Sequence, residues 1–199
     1  PTEPPVAPRW PGIELRWIPY ARPRSLQRCF YGAGAPDNLR MQPARWFGAA
    51  SFTAALRAVA PRALRNCDAL VSSWCLPCAW AASGLAEGRD HLCICHETDL
   101  RWLARLPARR LIARRIARGA TSMWFLSASH RARFLALAEL ESGAVRSHLG
   151  SMPIAPPPEL AMSRRALRRE MGLDRFTLLF LGRLVPVKGA DLLLHAAAR

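Results

Sequence analysis

Short apolar runs alternate along this chain with longer segments of helical apolar spacing, and glycines and prolines mark most of the joints. In "GIELRWIPY", Ile13, Leu15 and Trp17 share one side of an extended backbone, which predicts a half-buried strand ended by Pro23. From "QPARWFGAASFTAALRAVAPRAL" the spacing turns helical, with Pro61 interrupting near the C-terminal end. "CDALVSSW", "HLCIC" and "TSMWFLS" predict three short buried strands. The helices placed after them are "PCAWAASGLA", stopped by Gly88, then a basic amphipathic "ETDLRWLARLPARRLIARRIARG", continuous or hinged at Pro107, and then "ASHRARFLALAEL".

"GAVRSHLGSMPIAPPPEL" supplies a further strand and a connector in which Pro153 and Pro156 to Pro158 favour extended, helix-free backbone. The domain boundary is placed there. Beyond it, "SRRALRREMGL" predicts a basic helix, "FTLLFLG" a strand and "KGADLLLHAAAR" a helix. The pattern divides into a Rossmann-like domain over 1–150, a linker and helix over 151–174, and the start of a second Rossmann-like domain over 175–199. Uninterrupted apolar strands alternating with helices imply an α/β fold whose parallel sheet is covered by helices on both faces. Ligands of such sheets bind beyond the carboxyl ends of the strands.

Composition changes this picture little. Of 199 residues, 51% are hydrophobic, enough for a packed core. A net charge of +15 and a pI near 11.4 point toward nucleic acid or an anionic membrane face. Yet Lys188 is the only lysine among 29 basic residues, and abundant arginine with abundant alanine is a bias that GC-rich coding produces without any polyanion partner. No nucleic-acid reader motif is present, so nucleic acid is not expected as a partner. No run approaches the roughly 18 to 20 apolar residues of a membrane span, and the opening residues lack a signal peptide's apolar segment. Six cysteines are too few for a disulfide scaffold and fit a reducing cytoplasm.

The candidate chemistry sits at strand ends. In "FTLLFLGRLVPVKGADLLL" a strand ends at Gly182, Arg183 follows at its edge, and Lys188 with Gly189 opens a helix. Free backbone N–H groups, a positive helix end, a guanidinium fork and an ammonium together favour a phosphate. The alternative is an ordinary strand-to-helix turn with solvated basic residues; the order is not that of a Walker loop. His96 stands immediately after "HLCIC", at the same kind of edge, and reads either as a ligand contact or as a helix-entry histidine. Asp99, before "LRWLARL", reads as a helix cap, and Ser127 as a strand-end cap, each a possible supporting residue of the site. "WCLPC" has the look of a thioredoxin-type pair, Cys75 and Cys78, in a chain too long and too helical for that fold. Cys75 and Cys78 with Cys93, Cys95 or His96 would also suit zinc if the strands are neighbours, though packing of small apolar side chains explains them equally and no metal is expected. The arginines between Arg101 and Arg118 form the polar face of a surface helix or lean on anionic lipid headgroups.

"FLGRLVPVKGADLLLHAAA" resembles the opening of the C-terminal domain in family-4 (group 1) retaining glycosyltransferases, enzymes of the GT-B fold with two Rossmann-like domains facing across a cleft. "CDALVSSWCLPCAWAA", "HLCICHETDLRWL", "TSMWFLSASHRARFL" and "SHLGSMPIAPP" resemble successive parts of that family's N-terminal domain and interdomain crossing, so the similarity covers nearly the whole chain, most specifically residues 178–192. The resemblance implies that Arg183 and Lys188, flanked by Gly182 and Gly189, grip the diphosphate of a nucleotide-sugar donor. It implies that His96 is the catalytic histidine that hydrogen-bonds the donor sugar near the transferred carbon, with Asp99 and Ser127 at matching polar positions. The partners it implies are a nucleotide-sugar donor and a glycan or lipid-linked acceptor, with no cofactor or metal and a cytoplasmic, membrane-peripheral setting; acceptor choice would lie in loops such as 28–45. Glu97 departs from the family's glycine. The family's first strand and glycine-rich loop would precede Pro1 and its glutamate pair would follow Arg199, so an internal fragment, inactive alone, is expected. Two rivals remain: a non-catalytic basic module binding anionic membrane or nucleic acid, and another Rossmann-like nucleotide binder, for which a G-x-G-x-x-G turn is lacking.

Overall fold

In the computed structural model, residues 11–30, 35–85, 88–151 and 162–198 are described. The chain divides into two compact units, Pro1–Met152 and Pro153–Arg199. The proline-dense connector falls outside the described residues.

The first unit is α/β and Rossmann-like. Its strands β1 (Ala69–Ser73), β2 (Asp90–Cys95), β3 (Ser122–Phe125) and β4 (Ser147–Leu149) form one parallel sheet in the order of the sequence. Among the described residues, two α-helices precede the sheet, α1 (Ala35–Met41) and α2 (Arg45–Ala63). The β1–β2 crossover holds a wide helical turn, Cys75–Ala79, and the short α3 (Trp80–Ala82). The β2–β3 crossover holds α4 (Glu97–Arg105) and α5 (Arg109–Gly119), separated at Pro107, and β3–β4 is joined by α6 (Ala128–Ala138).

Alternation along the strands sets the core. Cys93, Cys95, Met123 and Phe125 point to one face and are fully buried with Ala113, Ile116, Phe134 and Ala138 of α5 and α6. The opposite face, which carries Val71, Trp124 and His148, is only partly covered, with Val71 61% exposed and His148 exposed as well. Among the described residues, the expected helical cover on both faces is therefore met on one. Strand order supplies the reason: crossovers between parallel strands are right-handed, so a sheet wound in a single direction receives its helices on a single side. A doubly wound sheet reverses direction at a switch point, and β1 to β4 contain no reversal.

Two predicted strands are corrected. Residues 13–17 join no ladder, and Ile13, Leu15 and Trp17 are exposed. Residues 176–182 in the second unit are likewise unpaired, with Phe176 90% and Leu181 93% exposed. Alternation or apolarity permits a strand, but a strand exists only where a neighbour accepts its hydrogen bonds, and none of the described residues does so here. The helix expected to run to Gly88 ends at Ala82, before Gly84, whose φ of +82° favours glycine.

The second unit contains α7 (Arg164–Glu170), capped by Ser163, and α8 (Ala190–Ala197). A tight turn over Pro186–Lys188 leads into α8 through Gly189, whose φ of +70° accounts for the glycine. No described helix is long and apolar enough to cross a membrane.

Candidate functional site

The carboxyl ends of β1 and β2 lie side by side because the two strands pair in parallel, Ser73 opposite Ile94. This brings Ser73, Trp74 and His96 together. Ser73 Oγ and His96 Nε2 share a hydrogen bond of 3.1 Å, and the Trp74 ring lies 5.4 Å from the imidazole at a tilt of 36°. Trp74 still donates its N–H to Ile94, at 2.8 Å, but its φ of +80° turns the chain out of the strand. A non-glycine residue held there stores backbone strain, a feature enriched at functional sites. Burial lowers the His96 pKa, so the half-buried ring is neutral near pH 7 and offers one donor and one acceptor.

Asp99 is the anchor beneath this surface. Its carboxylate, 1% exposed, accepts the His96 N–H at 3.0 Å and the Cys75 N–H at 2.5 Å. One buried side chain thus ties the start of α4 to the turn after β1, and so fixes His96 relative to Trp74. Burial pushes its pKa up to about 6, against the opposing pull of the N–H groups of Cys75, Leu100 and His96. Asp99 is a positioning residue here. Glu97 is exposed and pairs with Arg101 at 2.5 Å, pointing its charge along the surface of α4.

Ser127 sits at the end of β3, where its hydroxyl accepts the His130 N–H at 3.2 Å and caps α6. Sequence reading passed over His130, whose Nδ1 is buried without a hydrogen-bond partner among the described residues. The cysteines form no reactive pair: burial pushes Cys75 up to about 12 and Cys78 up to about 11, which keeps both as thiols. Cys93 and Cys95 are packed into the core, their sulfurs 3.8 Å apart. Among the described residues no group of three or more His, Cys, Asp or Glu is arranged to hold a metal.

Gly182, Arg183, Lys188 and Gly189 belong to the second unit, His96 to the first. Arg183 and Lys188 are exposed, and the turn between them is closed by Lys188 N–H to Val185 at 2.9 Å and Gly189 N–H to Pro186 at 3.0 Å. Those N–H groups were expected to face a phosphate; they are engaged within the turn instead. The donors left for an anion are the first N–H groups of α8, where Asp191 also sits.

His91, 1% exposed at the start of β2, was not among the residues that the sequence singled out. Its Nδ1 lies 2.6 Å from the Gly119 carbonyl, which can only accept, so that nitrogen carries the proton and Nε2 accepts from the Ser72 hydroxyl at 2.8 Å. Burial lowers its pKa in keeping with a neutral ring. The signal was two polar residues, Ser72 and His91, in otherwise buried strands. Neither a scan of protein-family models nor a search of curated proteins finds a match to this sequence.

Proposed function

We propose that this chain belongs to a retaining glycosyltransferase of the GT-B type, which moves a sugar from a nucleotide-diphosphate donor to the hydroxyl of a glycan or lipid-linked acceptor. The observation that carries the reading is the His96 imidazole, held neutral and oriented at the carboxyl edge of a parallel sheet, in a chain whose later segment places Arg183 and Lys188 around a turn into a helix.

In this reaction the bond between the anomeric carbon and the diphosphate breaks, and negative charge builds on the departing phosphate. Arg183 and Lys188 meet that charge with N–H donors, and the amino end of α8 adds its own. His96, aligned by Asp99 through its backbone and by Ser73 through its ring, donates to or accepts from a sugar hydroxyl near the transferred carbon. Ordering of donor and acceptor supplies much of the acceleration.

Nucleotide binding tests the reading without requiring turnover. A nucleoside diphosphate is expected to raise the melting temperature of the 199-residue chain, and Arg183→Ala/Lys188→Ala to weaken its affinity by roughly a hundredfold, the worth of two charge-assisted contacts. His96→Ala is expected to leave nucleoside diphosphate affinity alone while weakening the nucleotide sugar. Unchanged affinity in the double variant would overturn the assignment.

A further inference from the structure

We infer that a second anion site, for a phosphate-bearing ligand, lies at the opposite end of the sheet, independent of the glycosyl-transfer reading. A groove of about 750 Å³ opens at the amino ends of β2 and β3, and Arg89, Arg114, Arg115 and Arg118 line it, with no acidic residue among its described walls. That volume is within the roughly 300–1,000 Å³ usual for small-molecule sites.

Three of the four guanidinium groups are held by backbone carbonyls, and Arg118 is exposed. Arg89 donates to the Cys67 carbonyl at 2.8 Å, Arg114 to Ala138 at 2.8 Å and Glu139 at 3.2 Å, and Arg115 to Ser83 at 3.5 Å. A guanidinium has several N–H donors, so the bonds that Arg114 and Arg115 make to carbonyls restrain them and leave further N–H groups for a ligand. Arg114, Arg115 and Arg118 make no salt bridge among the described residues; Glu139, whose carbonyl holds Arg114, gives its carboxylate to Arg110 at 2.7 Å.

The carboxyl end of α5 opposes an anion here, with a partial charge of about −0.5. Three formal positive charges on the same helix outweigh it, and the Gly119 carbonyl is already taken by His91. Gly119 keeps the wall closed, since a Cβ there would meet the Ser83 backbone at 3.0 Å. Several forks along one groove suit a ligand with more than one phosphate, and Leu111, 71% exposed on the rim, offers contact to an apolar part of it.

Titration calorimetry on the Arg183→Ala/Lys188→Ala chain, which removes the proposed donor site, tests this with inorganic tripolyphosphate. Binding is expected, weakened by roughly a hundredfold on adding Arg115→Ala/Arg118→Ala but little by the equal charge loss of Arg164→Ala/Arg165→Ala. Phosphatidylglycerol vesicles against phosphatidylcholine vesicles identify the source: binding to the anionic vesicles alone, lost in the same variant, assigns the phosphate to a lipid headgroup. The inference is overturned if neither ligand binds, if the groove variant binds as its parent does, or if duplex DNA displaces tripolyphosphate and both arginine pairs matter alike. Arg118→Gln, a single exposed change, carries the comparison should the double variant unfold.

Discussion

At its carboxyl end the sheet buries a carboxylate, Asp99, under backbone N–H groups; at its amino end it buries a neutral imidazole, His91, behind a row of arginines. The same strands thus end in opposite electrostatic settings, one ordering a histidine at the surface, the other presenting positive charge. A parallel sheet makes this separation natural, because every strand leaves at one end and enters at the other, so loops of different chemistry collect at each.

The strongest way to break the comparison is Asp99→Ala. It leaves the Cys75 and His96 N–H groups without their acceptor, and a loss of roughly 2 to 4 kcal/mol in urea unfolding is expected. The two ends should also titrate in opposite senses. Asp99 has a folded value of about 6 against 3.8, so its contribution is fully present below 3.8 and is lost as pH rises through about 6. His91 lies below 6.5 when folded, so its contribution is present above 6.5 and is lost as pH falls through the folded value. Unfolding series from about pH 4 to 8 on the chain, Asp99→Asn and His91→Asn separate the slopes; equal slopes would mean that the two buried groups are not opposed.

Next in size is Gly119→Ala, which drives a methyl against Ser83 at the amino end and is expected to cost about 1 to 3 kcal/mol in the same unfolding curves. The smallest effect is expected from Ser127→Ala. Loss of the α6 cap should cost about 1 kcal/mol, read from the same unfolding curves, and a large loss of nucleotide-sugar affinity would instead place Ser127 in the site.

Strands β1 to β3 were legible because short, mainly apolar runs between turn residues have few other uses, and Pro107 marked the break between α4 and α5. Residues 13–17 and 176–182 carried equally good local patterns and form no ladder, since pairing depends on a partner that no local pattern encodes. His96 and Asp99 could be picked out by position at a strand end, but the link from Asp99 to Cys75 spans two elements and could not. The arginine groove was legible only in part: the arginines between Arg101 and Arg118 stood out as one basic helical face, but which of them share a groove with Arg89 depends on how α5 packs beside β2, which no local pattern encodes.

The one-way strand order carries a last consequence. With β1 at the border of the sheet, the amide and carbonyl groups along its outer side pair with no other strand among the described residues, and Val71 is exposed on it. Such a border is a template for any extended segment that can supply matching groups, whether from this polypeptide or another, and two further β-rich apolar stretches lie within the same 199 residues. Concentrated samples will therefore favour sticking along that border, and a lysine or proline at position 71 is the substitution with which to discourage it.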